Sequence, residues 1–115
     1  MGQYQDEMKT IAHPTAELRE RIPDVYEGFA ATHRAVYRDG ALPAATKEMM
    51  AVAIAVSQGC TGCIASHVRG AVRKGATEAE FADMIGVTIQ MGGGPASVYA
   101  PVAWDAFKEF KERYG

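Results

Sequence analysis

Four polar residues near the middle of the chain, Glu48, Cys60, Cys63 and His67, have the types and spacing that thiol chemistry needs. The only two cysteines of the 115 residues stand three apart, as Cys60-Thr61-Gly62-Cys63. His67 follows Cys63 by one helical turn, and Glu48 precedes Cys60 across a turn that contains Gly59. On a helix that begins near Cys60, at about 100° per residue, Cys63 and His67 fall within roughly 60° of Cys60. Cys63 and His67 are then i and i+4 and can touch. Free amides and the positive end of the helix dipole lie at that same helix start and stabilise a thiolate, which is the nucleophilic form of cysteine. His67 can take the thiol proton. Glu48 can orient the imidazole, provided that the turn at Gln58-Gly59 folds the two helices antiparallel. A sulfenic acid on one sulfur would condense with the other to a disulfide. Either sulfur could attack: Cys60 is nearer the exposed helix end, while Cys63 has the closer histidine, which favours Cys63.

Three other readings compete. A lone C-x-x-C can be two small buried hydrophobes, but the histidine at i+4 and a carboxylate facing it argue otherwise. Zinc accepts Cys, His and Glu, yet three of the four donors here share one short helix and the usual second pair is missing. A thioredoxin-like site would need a strand before the motif, and the residues before Cys60 are alanine-rich and helical in pattern. Neither a metal nor a cofactor is called for.

The elements that position these residues are helical throughout. Asp24 to Arg38 carries Val25, Phe29, Val36 and Tyr37 among charged residues, and Gly40 stops it. Pro43 can open the next helix, which runs to Gly59 and is apolar on every side from Met49 to Val56, so it should lie in the core of the fold or of an assembly. A third helix runs from near Cys60 to Lys74, with Gly75 closing it. Thr77-Glu78-Ala79-Glu80 is a capping box for a fourth, which places Phe81, Met84, Ile85, Thr88 and Ile89 on one side. Gly92-Gly93-Gly94-Pro95 breaks it. Its glycines resemble a phosphate loop, but no Lys-Ser or Lys-Thr follows and no strand precedes, so a turn between helices is expected. The last helix reaches Tyr114, and Pro101 either kinks it or marks its first turn. About five helices and no strand are expected. His13 and His33 read as surface residues, Ser66 as packing or support, and the six methionines as core filler or subunit contacts.

Bulk composition narrows the functions. A chain of this length is a single domain, 1–115, that hides roughly 65% of its unfolded surface. A net charge of −2 gives no electrostatic case for nucleic acid or an anionic membrane. The longest apolar run, Met49 to Val56, is too short to span a bilayer, and the N-terminus does not read as a secretory signal. A cytoplasmic protein is expected, and there paired cysteines point to redox or metal chemistry.

The pattern Glu48, eleven residues, Cys60-x-x-Cys63-x-x-x-His67 resembles that of the alkyl hydroperoxidase D-like proteins of the carboxymuconolactone decarboxylase family. The resemblance covers roughly Gly40 to Ala100. It includes Lys47-Glu48, Gly59-Cys60, Cys63-Ile64-Ala65-Ser66-His67, Lys74-Gly75-Ala76-Thr77 and Met91-Gly92-Gly93-Gly94-Pro95. It implies a compact all-α fold that assembles as a hexamer or trimer. It also implies thiol-dependent reduction of a small hydroperoxide by Glu48, Cys60, Cys63 and His67, with an external thiol reductant as partner. Peroxidase members can carry a further histidine between the cysteines; here Gly62 stands there, and a water would have to bridge. A lyase of the decarboxylase branch and a non-catalytic family member are the alternatives. The lyase would need a carboxylate-binding site, and no clustered arginine pair supplies one.

Overall fold

In a computed structural model that describes residues 2–115, the chain forms six helices and, among the described residues, no strand. They are α1 (Gln3–Thr10), α2 (Ala12–Arg21), α3 (Pro23–Val36), α4 (Ala44–Gln58), α5 (Thr61–Arg73) and α6 (Glu78–Tyr114). No helix among them is long and apolar enough to cross a membrane.

Helices α4, α5 and α6 pack on one another and make the body; α1 lies on α5, and α2 and α3 form an arm. The body closes around Val52, Val56, Ile64, Val68, Phe81, Phe107 and Phe110, all fully buried. Phe81, from the first half of α6, stacks on Phe107 from its second half at 4.4 Å, with Trp104 alongside. α6 can fold back in this way because Gly93 adopts φ 68° and ψ −146°, a backbone that side chains disfavour. The glycine break is therefore where the sequence puts it. Pro101 neither starts the final helix nor leaves helical geometry there: it sits inside the second half of α6, whose first turn holds Pro95. The capping box forms as read, with Thr77 Oγ1 accepting from the Glu80 amide and the Glu80 carboxylate accepting from the Thr77 amide.

Residues 3–21 were not read as helices, and they make α1 and α2. α1 is tied down from a distance. Tyr4 is buried, its hydroxyl donates to Asp105, and the Tyr4 and Gln5 amides donate to the Glu109 carboxylate at the helix start. Burial, then the Asp105 hydrogen bond, pushes the Tyr4 hydroxyl up to about 12. Such contacts, a hundred residues apart in sequence, leave no local pattern to read.

Candidate active site

α4 and α5 run antiparallel because Gly59 ends α4 in a left-handed conformation, φ 66°. A side chain at 59 would be strained there and would press on the Tyr99 ring. The reversal sets Glu48, near the start of α4, against the C-terminal half of α5. Cys60 is the N-cap of α5, and its sulfur accepts the Cys63 amide at 3.2 Å. Cys60 and Cys63 are joined as a disulfide, with Cα atoms 5.2 Å apart.

All four residues named from the sequence meet in one place. His67 Nδ1 lies 2.6 Å from Glu48 Oε1. An ionised carboxylate only accepts, so Nδ1–H donates and Nε2 remains as the basic nitrogen. Cys63 and His67 border a common cavity of about 230 Å³, lined also by Tyr37, Ala51, Ile54, Ala55 and Gln58. Cys63 is exposed and Cys60 half-buried, so Cys63 is the sulfur a solute meets first.

Glu48 is 4% exposed, yet ionised. Burial works against its charge, but the hydrogen bonds from His67 and Lys74 outweigh that cost and hold the carboxyl below its ordinary value. Lys74 Nζ donates to Glu48 Oε2 at 2.8 Å, so both carboxylate oxygens are engaged. Tyr37 packs against His67, 5.2 Å between ring centroids, and its hydroxyl is raised by burial and then by the Glu48 charge. Among the described residues, no group of three His, Cys, Asp or Glu side chains could hold a metal ion.

Besides Tyr37, three participants escaped the sequence reading. His33 is exposed, as expected, but it is not remote: its ring stacks on His67 at 5.8 Å and lies tilted against Tyr37 at 4.6 Å. Gly70 is the second, since a β-carbon there would overlap the Glu48 carboxylate. Lys74 is the third. A signal for the last two did exist: Cys60, Cys63, His67, Gly70 and Lys74 recur at spacings of three and four, which is one stripe of a helix. His33 had no such signal, because it comes from another helix. His13 stays away from the site, paired with Glu17 on the surface.

Comparison with known proteins addresses the family and the fold. The carboxymuconolactone decarboxylase family matches residues 23–107. An uncharacterized protein from Cupriavidus necator is 42% identical over 86 residues, 75% of this chain and 76% of that one. Uncharacterized protein 4 in the cox locus of Paracoccus denitrificans is 40% identical over 74 residues, 64% of this chain and 67% of that one. Among solved structures, a carboxymuconolactone decarboxylase family protein from Legionella pneumophila superposes with a TM-score of 0.90 at 38% identity, covering 95% of this chain and 97% of that one. A Thermotoga maritima protein gives 0.75 at 26% identity, covering 91% and 96%. By the span of the match and the closeness of these structures, the chain belongs to the carboxymuconolactone decarboxylase family.

Proposed function

We propose that this protein is a thiol-dependent peroxidase that reduces small hydroperoxides through a reversible Cys60–Cys63 disulfide. One observation carries the reading: a disulfide-bonded pair whose exposed member shares a cavity with an imidazole held by a buried carboxylate. In the reduced protein, His67 takes the Cys63 proton. The thiolate attacks one peroxide oxygen, the O–O bond breaks, and the departing alkoxide takes a proton from His67 to leave as an alcohol. Cys63 is then a sulfenic acid. The Cys60 thiol attacks its sulfur, forming the disulfide and releasing water. An external dithiol supplies the two electrons and two protons that restore the thiols. The lyase alternative lacks support, since no lysine or arginine is among the described residues bordering the cavity.

Thiol counting tests the reading. One equivalent of an organic hydroperoxide should consume both thiols of the reduced protein and produce one equivalent of alcohol, and Cys63→Ser should abolish turnover. Two thiols surviving full oxidation would sink it. Glu48→Gln should slow Cys63 alkylation near neutral pH by roughly tenfold to a thousandfold while the fold persists. An unchanged rate would make Glu48 structural only.

The same reading includes a homo-oligomer, a hexamer or a trimer. The chain exposes 7076 Å², whereas a compact 12.4 kDa monomer exposes about 6,100 Å². The excess is close to what one partner buries in a standard interface, about 800 Å². The radius of gyration is 14.4 Å, against about 13.3 Å for a compact chain of this length. Exposed Met50, Ile54, Val87 and Met91 line a groove of about 590 Å³ between α4 and α6. Ile54 and Gln58 also border the Cys63 cavity, so a copy seated in this groove would wall the site. Light scattering at micromolar concentration checks this: a mass near 12.4 kDa would refute it.

A further inference from the structure

The relay described above has no task for Lys74, yet Lys74 makes one of the shortest side-chain contacts of the site. It stands at the C-cap of α5, seven residues beyond His67 on the same stripe. Its Nζ and His67 Nδ1 grip opposite oxygens of one buried carboxylate, at 2.8 and 2.6 Å. Gly70 lies between them and leaves room for that carboxylate.

A buried carboxylate whose sole partner is an imidazole is best satisfied when the imidazole is protonated. That attraction holds the proton on the ring. A group that must take up a proton and give it back needs the opposite: orientation without a large net charge. An ammonium on the second oxygen supplies it, because the Lys74–Glu48 pair is close to neutral as a unit. Glu48 can then aim the ring through its hydrogen bond and pull less on the proton.

We propose that Lys74 is a positioning residue of the thiol site, balancing the charge of Glu48 so that Glu48 orients His67 without locking a proton onto it. This rests on the reading of Cys63 as the reactive thiol. The other ionisable groups against the cluster are Tyr37 and His33 at the end of α3, and Lys47 of α4. Lys47 does not substitute for Lys74: its Nζ donates to the carbonyls of Val36 and Arg38, at 2.9 and 2.7 Å, and so caps α3. Lys74 Nζ also donates to the Tyr37 carbonyl at 3.5 Å and lies 5.4 Å over the Tyr37 ring.

The test is the pH profile of Cys63 alkylation by iodoacetamide in the reduced protein, read by mass spectrometry, with the fold followed by circular dichroism at each pH. Three variants separate charge from packing. Lys74→Met removes the charge, Lys74→Gln removes it but keeps an N–H donor for Glu48, and Lys74→Arg keeps it. Removing a positive charge makes every proton of the site harder to lose. The acid limb should therefore move to higher pH by about one unit in Lys74→Met and Lys74→Gln. In Lys74→Arg it should stay within a few tenths of a unit. Lys74→Gln carries the test if Lys74→Met does not fold. Superimposable profiles in wild type and the neutral variants would overturn the proposal and leave Lys74 as a helix cap, whatever happens to thermal stability. So would a Gln variant like wild type, or an Arg variant shifted like Met. If Cys63 of the wild type fails to alkylate at any pH, the thiol reading falls and this proposal falls with it; a normal wild-type profile with unmoved variants removes only the role of Lys74.

Discussion

The body and the arm of this molecule are built from similar apolar side chains and treat them oppositely. In α4, α5 and α6, valine, isoleucine and phenylalanine disappear into a common core. In α2 and α3 no residue is buried: Leu18, Ile22 and Val25 are exposed, and Phe29 is 71% exposed. Both regions are good helices by local rules. Pro23 sits in the first turn of α3, Asp24 lies near its positive end, and His33 and Arg34 lie near its negative end. Helix formation is therefore a local property here, while burial belongs to the partner surface, which the body contains and the arm does not. The arm nevertheless reaches the site. Lys47 Nζ holds the carbonyls of Val36, the last residue of α3, and of Arg38 just beyond it, on either side of Tyr37, which packs beside His67 together with His33.

The sharpest way to break this contrast is to cut into the body. Phe107→Ala removes a ring stacked on Phe81 and should cost about 3–5 kcal/mol in urea unfolding. A cost below about 1 kcal/mol would mean that the body is not where stability resides. Gly70→Ala comes next. Alanine ordinarily stabilises a helix interior by about 1 kcal/mol over glycine. Here the added methyl meets the Glu48 carboxylate, so a net loss of roughly 1–3 kcal/mol is expected, together with slower thiol alkylation. A gain in stability would show that the carboxylate has room to move.

A smaller effect concerns acid. The folded pKa of Glu48 is lowered, because hydrogen bonds from His67 and Lys74 outweigh the opposing cost of burial. Its contribution to stability is thus fully present above the unfolded carboxylate value, about 4.3, and is lost as pH falls through the lower folded value. Glu48→Gln should flatten that part of the stability–pH curve, and equal slopes below pH 4.3 in both proteins would contradict the ion-pair account. The smallest effect on the unfolding of the chain itself should come from the arm. Phe29→Ser should change the body's unfolding by no more than about 0.5 kcal/mol at concentrations where the chain is monomeric. If the proposed assembly extends from the groove between α4 and α6 onto the arm, the same change should lower the mass seen by light scattering at higher concentration. An intact assembly would mean that the arm's apolar face is not part of the interface.

Much of the site was legible in advance, because most of it is written on one helix. The N-cap position of Cys60, the turn from Cys63 to His67 and the glycine that reverses α4 onto α5 are all local features with fixed periods. The facing of Glu48 on His67 followed from them once the helices were taken as antiparallel. The capping box at Thr77 and the break at Gly93 were readable for the same reason: each depends on a few adjacent residues. Pro101 was not, because whether a proline stops a helix depends on what packs around it, and here the surrounding helix continues.

The sequence by itself determined the helices from α3 onward, the capping box at Thr77 and the stripe of Cys60, Cys63 and His67, since 3.6 residues per turn assigns residues to faces without reference to anything else. The tertiary structure alone decided which faces were used. It set Tyr4 against Asp105 and Glu109, brought His33 and Tyr37 to His67, and gave Glu48 a second cation in Lys74. It also left Val25 and Phe29 outside. The physical reason is one of range. Dihedral preferences and capping act over a few residues and can be read off neighbours, whereas charge balance and burial are summed over everything within a few ångströms, wherever in the chain it comes from.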